Sequence, residues 1–255
     1  MSIGWEKRCL LLGAGTMVIV ACGAGVLGLL TREPTLEGRT VRSLVRQARH
    51  NSQSGSTNYE ASAVFHRNGA KAAAALGKMV APAHRSLAGL VARCLTERYS
   101  LASRLPAPLR TWAEKTVLEE ERRISDREWA VVWCASLGPD ARAAHPAILA
   151  ACRDLDSSVR AAAVKSLARI EVRPDQAIPL LSQILLQDCS GSVRGWAAFS
   201  LGLYGDNAEA AIPALRQATS DPYWLVPSRA REALKQIETA MAGKEKTKQA
   251  VSTAL

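Results

Sequence analysis

The C-terminal half of the chain repeats one pattern of apolar and polar positions. Superposing the chain on itself at offsets of 30 to 34 residues aligns four apolar segments, each anchored by a leucine: Leu137, Leu167, Leu201 and Leu234. A second apolar segment, marked by a proline, follows the first three: Pro146, Pro179 and Pro213. Proline fits the first turn of a helix, where its missing N–H would be unpaired anyway. Each period is therefore predicted to hold two helices, the second starting at its proline.

Small residues and turn formers occupy the positions that closely packed helix pairs require. Ala163 and Ala197 stand one turn before Leu167 and Leu201, where a small side chain lets neighbouring helices approach. Glycines suited to the turns between helices are Gly138, Gly202 and Gly205. Serines predicted to cap later first helices are Ser157 or Ser158, and Ser192. With only 5% aromatic residues and little β-branched alternation, the protein is predicted to be all-α.

An aspartate followed by a Val-Arg pair marks the junction between units. The pattern occurs as Asp156…Val159-Arg160 and as Asp188…Val193-Arg194. With the proline-bearing second helix, it resembles the HEAT-repeat family over residues 127–239, as three units and a closing helix ending near Thr239, before a flexible basic tail over 240–255. The resemblance implies a right-handed α-solenoid of antiparallel helix pairs, in which such Asp and Arg residues tie neighbouring repeats together. After Asp221, Pro227 stands in place of the arginine, so this ladder is not expected to extend to the final unit.

Residues 58–126 are predicted to form an irregular helical cap that contains a degenerate repeat. A helix, a turn at Gly69 and an alanine-rich helix are predicted within residues 61–76, and an amphipathic helix over 83–94. The proline-containing segment 105–112 then interrupts the period. Terminal repeats are expected to be atypical, because they cover an otherwise open apolar face.

Residues 31–57 are predicted to be a spacer with one short helix. Apolar residues recur at helical spacing: Val41, Leu44, Val45 and Ala48. Arginines take the other face: Arg42, Arg46 and Arg49. Two placements of this helix stay open. Its basic face could lie on an anionic membrane surface, or the helix could pack on the domain that follows.

A long apolar run near the N-terminus predicts membrane attachment. After Lys7 and Arg8, residues 9–30 carry no charged side chain. At about 1.5 Å per residue, such a helix covers a hydrocarbon core of roughly 30 Å, which favours a single uncleaved anchor. The alternative is a lipoprotein, because Ile19-Val20-Ala21-Cys22 resembles the bacterial lipobox and would place a lipid on Cys22.

The order of anchor, spacer, irregular insert and regular repeats resembles a group of membrane-anchored bacterial HEAT-repeat proteins. This resemblance implies the bacterial inner membrane as the location. The side of the membrane on which the repeats lie stays open, because long domains cross largely regardless of flanking charge.

The distribution of charge argues against nucleic acid as a partner. The chain of 255 residues has 33 Lys and Arg against 23 Asp and Glu, a net charge of +10. Residues 127–239, however, carry equal numbers of basic and acidic side chains. A nucleic-acid-binding array should be basic along its groove, since neutralising phosphates supplies most non-specific affinity.

Reactive side chains do not form a recognisable catalytic or metal-binding pattern. The histidines are scattered, at His50, His66, His84 and His145, without a second ligand at helical spacing. The six cysteines show no C-x-x-C spacing. Cys134 and Cys152 belong to the two helices of one unit, and a disulfide between them would require Cα atoms within about 7 Å. Neither a metal nor a cofactor is predicted.

The sequence predicts a non-enzymatic, membrane-tethered scaffold that binds a protein or peptide partner on the surface formed by its second helices. Exposed candidates on that surface are Arg153, Gln183, Gln187 and Arg216. The alternative is an enzyme on the same fold, such as a DNA-glycosylase-like or bilin-lyase-like protein, although fold alone does not establish function. Tryptophans near the repeats could fill the core or anchor a partner, and core filling is favoured: Trp112, Trp129, Trp133, Trp196 and Trp224.

Overall fold

The computed structural model describes residues 33–54, 60–80, 92 and 107–253. The helices are α1 (Val41–Ser54), α2 (Glu60–Val80), α3 (Ala107–Leu137), α4 (His145–Ala151), α5 (Ser157–Ser166), α6 (Pro174–Gln187), α7 (Gly191–Leu203), α8 (Ile212–Ala218) and α9 (Leu225–Thr253). Two 3₁₀ segments, Gly138–Ala144 and Gly205–Ala211, precede α4 and α8. The predicted all-α class is confirmed.

The predicted membrane segment, residues 9–30 with Cys22, lies outside the described residues. Over the ranges that the structure does describe, no helix combines the length and the apolarity needed to cross a bilayer.

A small hairpin leads into α1. Its strands, β1 (Thr35–Leu36) and β2 (Arg39–Thr40), pair antiparallel, with Leu36 opposite Arg39. The two turn residues, Glu37 and Gly38, have φ values of 49° and 76°, the left-handed conformation that a two-residue hairpin turn uses.

Helix α1 packs on the helices that follow it, which decides between the two placements predicted for it. Its apolar face is buried: Val41, Leu44, Val45 and Ala48. Its arginines bond within the protein, since Arg46 pairs with Asp126 on α3 at 2.7 Å and Arg49 donates to the Ser125 hydroxyl at 2.5 Å. Arg46 and Arg49 are thus bonded to α3, and the third arginine, Arg42, pairs with Glu33 at 2.9 Å.

Helix α2 is bent at Gly69, where the sequence predicts a turn. Gly69 has φ 33° and ψ −109°, which divides α2 into two helical parts. Phe65, before the bend, packs against Trp133 of α3 with ring centroids 5.3 Å apart. Gly77, after the bend, lies close to Ala144. Helix α2 therefore contacts both layers at the start of the repeats.

Two helical layers form the repeats. The first layer contains the C-terminal half of α3, then α5, α7 and α9, which contact one another in that order. The second layer contains α4, α6 and α8. Three of the anchoring leucines are buried between the layers, Leu137, Leu167 and Leu201, and Leu234 is partly buried against them. The predicted pairing of two helices per unit is confirmed.

One second helix begins earlier than predicted. Pro146 and Pro213 lie in the first turns of α4 and α8, as expected, but Pro179 lies inside α6, which starts at Pro174. After α5 the chain reverses at Glu171, with φ 55°, without a 3₁₀ segment. The chain therefore enters its next helix one turn sooner, and Pro174 occupies the position that suits proline.

The predicted N-caps differ from the observed ones. Asp156 caps α5, because its carboxylate accepts a hydrogen bond from the Ser158 backbone N–H at 2.9 Å. Ser190 occupies the N-cap position of α7 without a side-chain bond, and Ser192 lies inside the helix. At α5 the aspartate just before the two serines takes the capping position, and its carboxylate satisfies an amide of the first turn.

The last helix is longer than predicted. It continues past Thr239 to Thr253, so residues 240–253 extend α9. Lys244 on this extension pairs with Asp206 at 2.5 Å.

Candidate functional site

Arginine–aspartate pairs connect consecutive units of the first layer. Arg160 of α5 donates to both carboxylate oxygens of Asp188, at 2.8 and 2.9 Å. Arg194 of α7 does the same to Asp221, at 2.7 and 2.8 Å. Arg127 of α3 pairs with Asp154. Two parallel hydrogen bonds fix the orientation of a guanidinium as well as its distance, so these pairs set the angle between units.

Each aspartate of this ladder also shapes the turn in which it lies. Asp188 accepts a hydrogen bond from the Ser190 backbone N–H, and Asp221 accepts one from Tyr223, both at 2.8 Å. Arg194 additionally donates to the Asp188 carbonyl at 2.8 Å. Arg160 and Arg194 thus each donate to a backbone carbonyl in the turn before their own helix. Each also binds the aspartate in the turn before the next first-layer helix.

The ladder differs from the sequence prediction at both ends. Asp154 receives the bond from Arg127, whereas Asp156, the predicted junction residue, serves as the N-cap. At the final unit Asp221 is paired after all, because its donor is Arg194 of the preceding helix. Pro227 replaces an arginine that would have reached a further unit.

Side chains of three neighbouring first-layer helices line a groove of about 400 Å³. They recur at helical spacing: Glu128 and Val132 on α3, Ser158, Ala162 and Lys165 on α5, and Ser192 and Trp196 on α7. The middle helix, α5, presents mainly the small side chains of alanine and serine, so the groove is deepest along α5. Because the ladder fixes the spacing of these helices, the groove is preformed.

Two cations lie over the indole of Trp196, and one of them, Lys165, lines the groove with it. The Lys165 ammonium lies 4.5 Å from the ring centroid, and the Arg229 guanidinium of α9 lies 4.3 Å from it. Phe199 packs edge-on against the indole at 5.6 Å, with an interplanar angle of 88°. These distances are those of favourable cation–π contacts. We name Lys165, Trp196 and Arg229 the cationic clamp.

A carboxylate occupies the other end of the groove. Glu128 lies one turn before Val132 on α3, near the start of α5. Burial raises the pKa of Glu128, the charge of Asp156 raises it further, and Arg49 partly offsets both effects. A cationic or hydrogen-bond-donating group of a ligand would stabilise the Glu128 carboxylate. This end of the groove therefore favours positive charge, and the end at Lys165 favours negative charge.

The four predicted partner-binding residues lie on the other layer. Gln183 and Gln187 are exposed on α6, where the Gln183 amide donates to the Gln187 carbonyl oxygen at 3.3 Å. Arg216 is exposed on α8, and Arg153 is exposed just after α4. These four side chains share the second-layer surface, and the groove lining includes none of them.

Sequence reasoning missed the groove, although one residue carried a signal for it. Trp129, Trp133 and Trp196 pack partly buried against the core, whereas Trp112 is exposed and Trp224 is 75% exposed. Trp196 is the tryptophan that forms a wall of the groove. Alanine and serine along α5 gave no comparable signal, because they are equally common on solvated helix faces.

The described residues hold no group of three or more His, Cys, Asp or Glu side chains arranged to bind a metal ion. Cys134 and Cys152 are buried free thiols, and burial raises the pKa of each to about 12. His145 bonds through Nε2 to the Ile170 carbonyl at 2.8 Å, a contact between neighbouring units.

Comparison with known proteins supports the architecture. A search of curated proteins returns no match. The family model for HEAT repeats matches residues 116–201 and again 178–255, which together exceed half of the chain. The described part of these ranges is built of helix pairs tied by an arginine–aspartate ladder. The chain belongs to the HEAT-repeat family.

Proposed function

We propose that this protein is a non-enzymatic scaffold whose first-layer groove holds a peptide segment of a protein partner. The observation that carries the proposal is the groove itself, with small side chains along α5 and the cationic clamp at one end. A HEAT-repeat array is a helical scaffold suited to protein interaction, and the groove gives that general role a place on the molecule.

The shape and composition of the groove suit an extended or helical segment. Ala161 and Ala162 leave room for the side chains of a ligand, while Val132 and Trp196 offer apolar walls. Aromatic residues surrounded by weaker contacts often dominate the binding energy of an interface. Because neighbouring helices are already fixed, a partner would not have to order them on binding.

We also propose that the scaffold is tethered to the bacterial inner membrane through residues 9–30 and twists as a right-handed solenoid. The 22 apolar residues in the sequence support an anchor, and lipidation at Cys22 is the competing form of attachment. Mass spectrometry of the protein purified from membranes tests this. An intact N-terminus is expected for the anchor, and a mature chain starting at a lipidated Cys22 would contradict it.

The groove is tested with a displayed library of random peptides selected on the full chain. Ala162→Phe fills the groove, so the selected peptides are expected to bind this variant at least about tenfold more weakly, as for loss of a central contact. Ala150→Phe is the matched control, because Ala150 is an exposed helical alanine on α4 of the second layer. Binding to this control should be unchanged.

Two results would contradict the placement in the groove. Peptides that bind Ala162→Phe normally would show that the groove is not used. Peptides that instead lose binding to a Gln183→Ala, Gln187→Ala double variant would assign the interface to the second-layer surface predicted from the sequence.

A further inference from the structure

We infer that the segment bound in the groove is acidic at the end held by the cationic clamp, and that this charge fixes its direction. The inference rests on the proposed function of the groove and adds the chemistry of the partner to it. It is carried by the two cations on Trp196 and by the carboxylate at the opposite end.

The cations of the clamp have no carboxylate partner in the described part of the chain. Lys165 and Arg229 both contact the indole of Trp196, and neither forms a salt bridge within 4.0 Å to a described Asp or Glu. Other arginines of the first layer, such as Arg160 and Arg194, are fully engaged with aspartates. The clamp therefore presents positive charge that no described carboxylate neutralises.

The indole holds this charge in place. Trp196 is half-buried between α5 and α9, and cations on its face are restricted compared with freely solvated lysine or arginine side chains. Positioned charges lose less side-chain entropy when they bind a ligand. A carboxylate of the partner can thus pair with Lys165, which lines the groove, and Arg229 adds positive charge on the same indole.

The opposite end of the groove disfavours an acidic group. Burial of Glu128, with the charge of Asp156 nearby, already raises the pKa of Glu128. A second carboxylate there would be repelled, whereas a lysine, an arginine or a peptide N–H would be favoured. A segment that is acidic at one end only is consequently expected to bind in a single direction.

Nucleic acid fits this surface less well. A nucleic-acid strand presents phosphates at regular spacing and needs cations along its whole path. Here Lys165 and Arg229 lie at one end, whereas Glu128 and Asp156, with Arg49 nearby, lie at the other, so cations do not follow the whole path. We therefore commit to an acidic peptide segment and treat a strand of DNA as an outcome of the test.

The test reverses the charge of the clamp in the full chain. Peptides selected from the random library on the wild-type chain are expected to be enriched in Asp and Glu at one end. Selection on Lys165→Glu, Arg229→Glu should lose that enrichment and favour Lys and Arg, and acidic peptides should bind this variant about tenfold more weakly or worse.

A second pair of substitutions serves as the matched control. Arg231→Glu, Lys235→Glu changes the net charge equally on α9, but both residues are exposed and lie on the side of the helix away from Arg229. This variant should keep the acidic enrichment. If the reversed clamp is less soluble or less stable, Lys165→Gln, Arg229→Gln removes the charge without repulsion and should still weaken acidic peptides several-fold.

The outcomes separate this inference from the proposed function. Peptides that are sensitive to Ala162→Phe but show no acidic enrichment would overturn the inference and leave the groove as the binding site. Equal weakening by both charge-reversed pairs would also overturn it, because the effect would then reflect net charge alone. A single strand of 20 thymidines could bind more tightly than the acidic peptides and lose binding when the clamp is reversed. That result would overturn the inference in favour of nucleic acid as the partner. If no peptide is sensitive to Ala162→Phe, the proposed function itself fails.

Discussion

The junction between α1 and α3 and the junctions between repeats use the same kind of ion pair but shield it differently. Between two repeats, Arg160 and Asp188 keep only 11% and 8% of their side chains exposed. Between α1 and α3, Arg46 keeps 45% of its side chain exposed, although its partner Asp126 keeps only 4%. Arg160 also donates to the Asp154 carbonyl at 2.9 Å, whereas the described hydrogen bonds of Arg46 all go to Asp126.

This difference shows which junctions keep the groove in shape. A pair shielded from water and bonded to the backbone holds two helices at a fixed angle, whereas a pair with one solvated partner can be replaced by water at little cost. The groove lies over the shielded junctions.

The largest effect is expected from removing a shielded arginine. Arg160→Met leaves Asp188 without its charged partner and the Asp154 carbonyl without its donor, so the free energy of unfolding should fall by about 3 kcal/mol. Arg46→Met should cost less, about 1 kcal/mol, because Arg46 is the exposed partner that covers Asp126, and its removal lets water reach that carboxylate. Urea unfolding followed by circular dichroism measures both.

Arg169→Met provides the baseline, because it makes the same substitution at an exposed arginine that is not part of the ladder. Equal losses for Arg160→Met and Arg46→Met would contradict the distinction between the two junctions.

A smaller effect is expected where glycine permits close contact between helices. A Cβ on Gly202 would lie 3.0 Å from the Ala233 Cα and 2.3 Å from the Gln236 side chain, so Gly202→Ala should destabilise the protein by about 2 kcal/mol. At the cap, Gly77→Ala would place a Cβ 3.3 Å from the Ala144 Cα and should cost about 1 kcal/mol. Thermal unfolding of the two variants compares the contacts.

Gly243→Ala is the control for these substitutions. No atom lies within 4 Å of a Cβ at this position on α9, so alanine should stabilise the helix by roughly 0.5 to 1 kcal/mol. A Gly202→Ala variant that gains stability as well would show that the helices separate easily.

The sequence predicted the period and the buried leucines because both follow from helix geometry. It did not predict which aspartate pairs with Arg127, since Asp154 and Asp156 differ only by the conformation of the turn that carries them. It placed the start of α6 at Pro179 for a similar reason. Pro174 and Pro179 both satisfy the rule that proline suits the first turn of a helix. The turn at Glu171 brings the chain into α6 at Pro174.

The candidate site was less predictable than the fold. The sequence indicated exposed polar residues on the second helices, and Gln183, Gln187, Arg153 and Arg216 are indeed exposed. The groove, however, depends on side chains that are adjacent only after the units stack. Lys165 and Arg229 stand 64 residues apart in the chain, and they meet at Trp196 because α5, α7 and α9 are neighbours.

A still smaller effect is expected at the helix N-termini that open onto the groove. Asp156→Ala removes the carboxylate that caps α5 and should lower the free energy of unfolding by about 1 kcal/mol. Ser190→Ala should change it by less than about 0.5 kcal/mol, because Ser190 occupies the cap position of α7 without a side-chain bond. Urea unfolding distinguishes the two. A greater loss at Ser190 would indicate that the serine caps α7 in solution.

The smallest and most specific effect is the pH dependence of one ladder pair. The hydrogen bond from Arg194, against the opposing effect of burial, holds the pKa of Asp221 below its ordinary value of 3.8. Because the folded-state pKa is lowered, the charged form stabilises the folded protein above that ordinary value, and this stabilisation is lost as the pH falls through the folded pKa. The difference in unfolding free energy between the wild type and Asp221→Asn should therefore stay constant from about pH 7 to about pH 5 and shrink below about pH 4.

Asp206→Asn is the exposed counterpart of that experiment. Lys244, through its hydrogen bond to Asp206, lowers the pKa of Asp206 as well, but this pair lies on the surface beside the extension of α9. Its effect at neutral pH should be smaller and should disappear in about 1 M NaCl, whereas the effect of Asp221→Asn should largely persist, since shielded pairs are screened less. Equal sensitivity to salt would mean that water reaches the Arg194–Asp221 pair as freely as it reaches Lys244. The ladder would then hold the units no more firmly than a surface contact does, and the distinction between the two kinds of junction would have to rest on the packing at Gly202 alone.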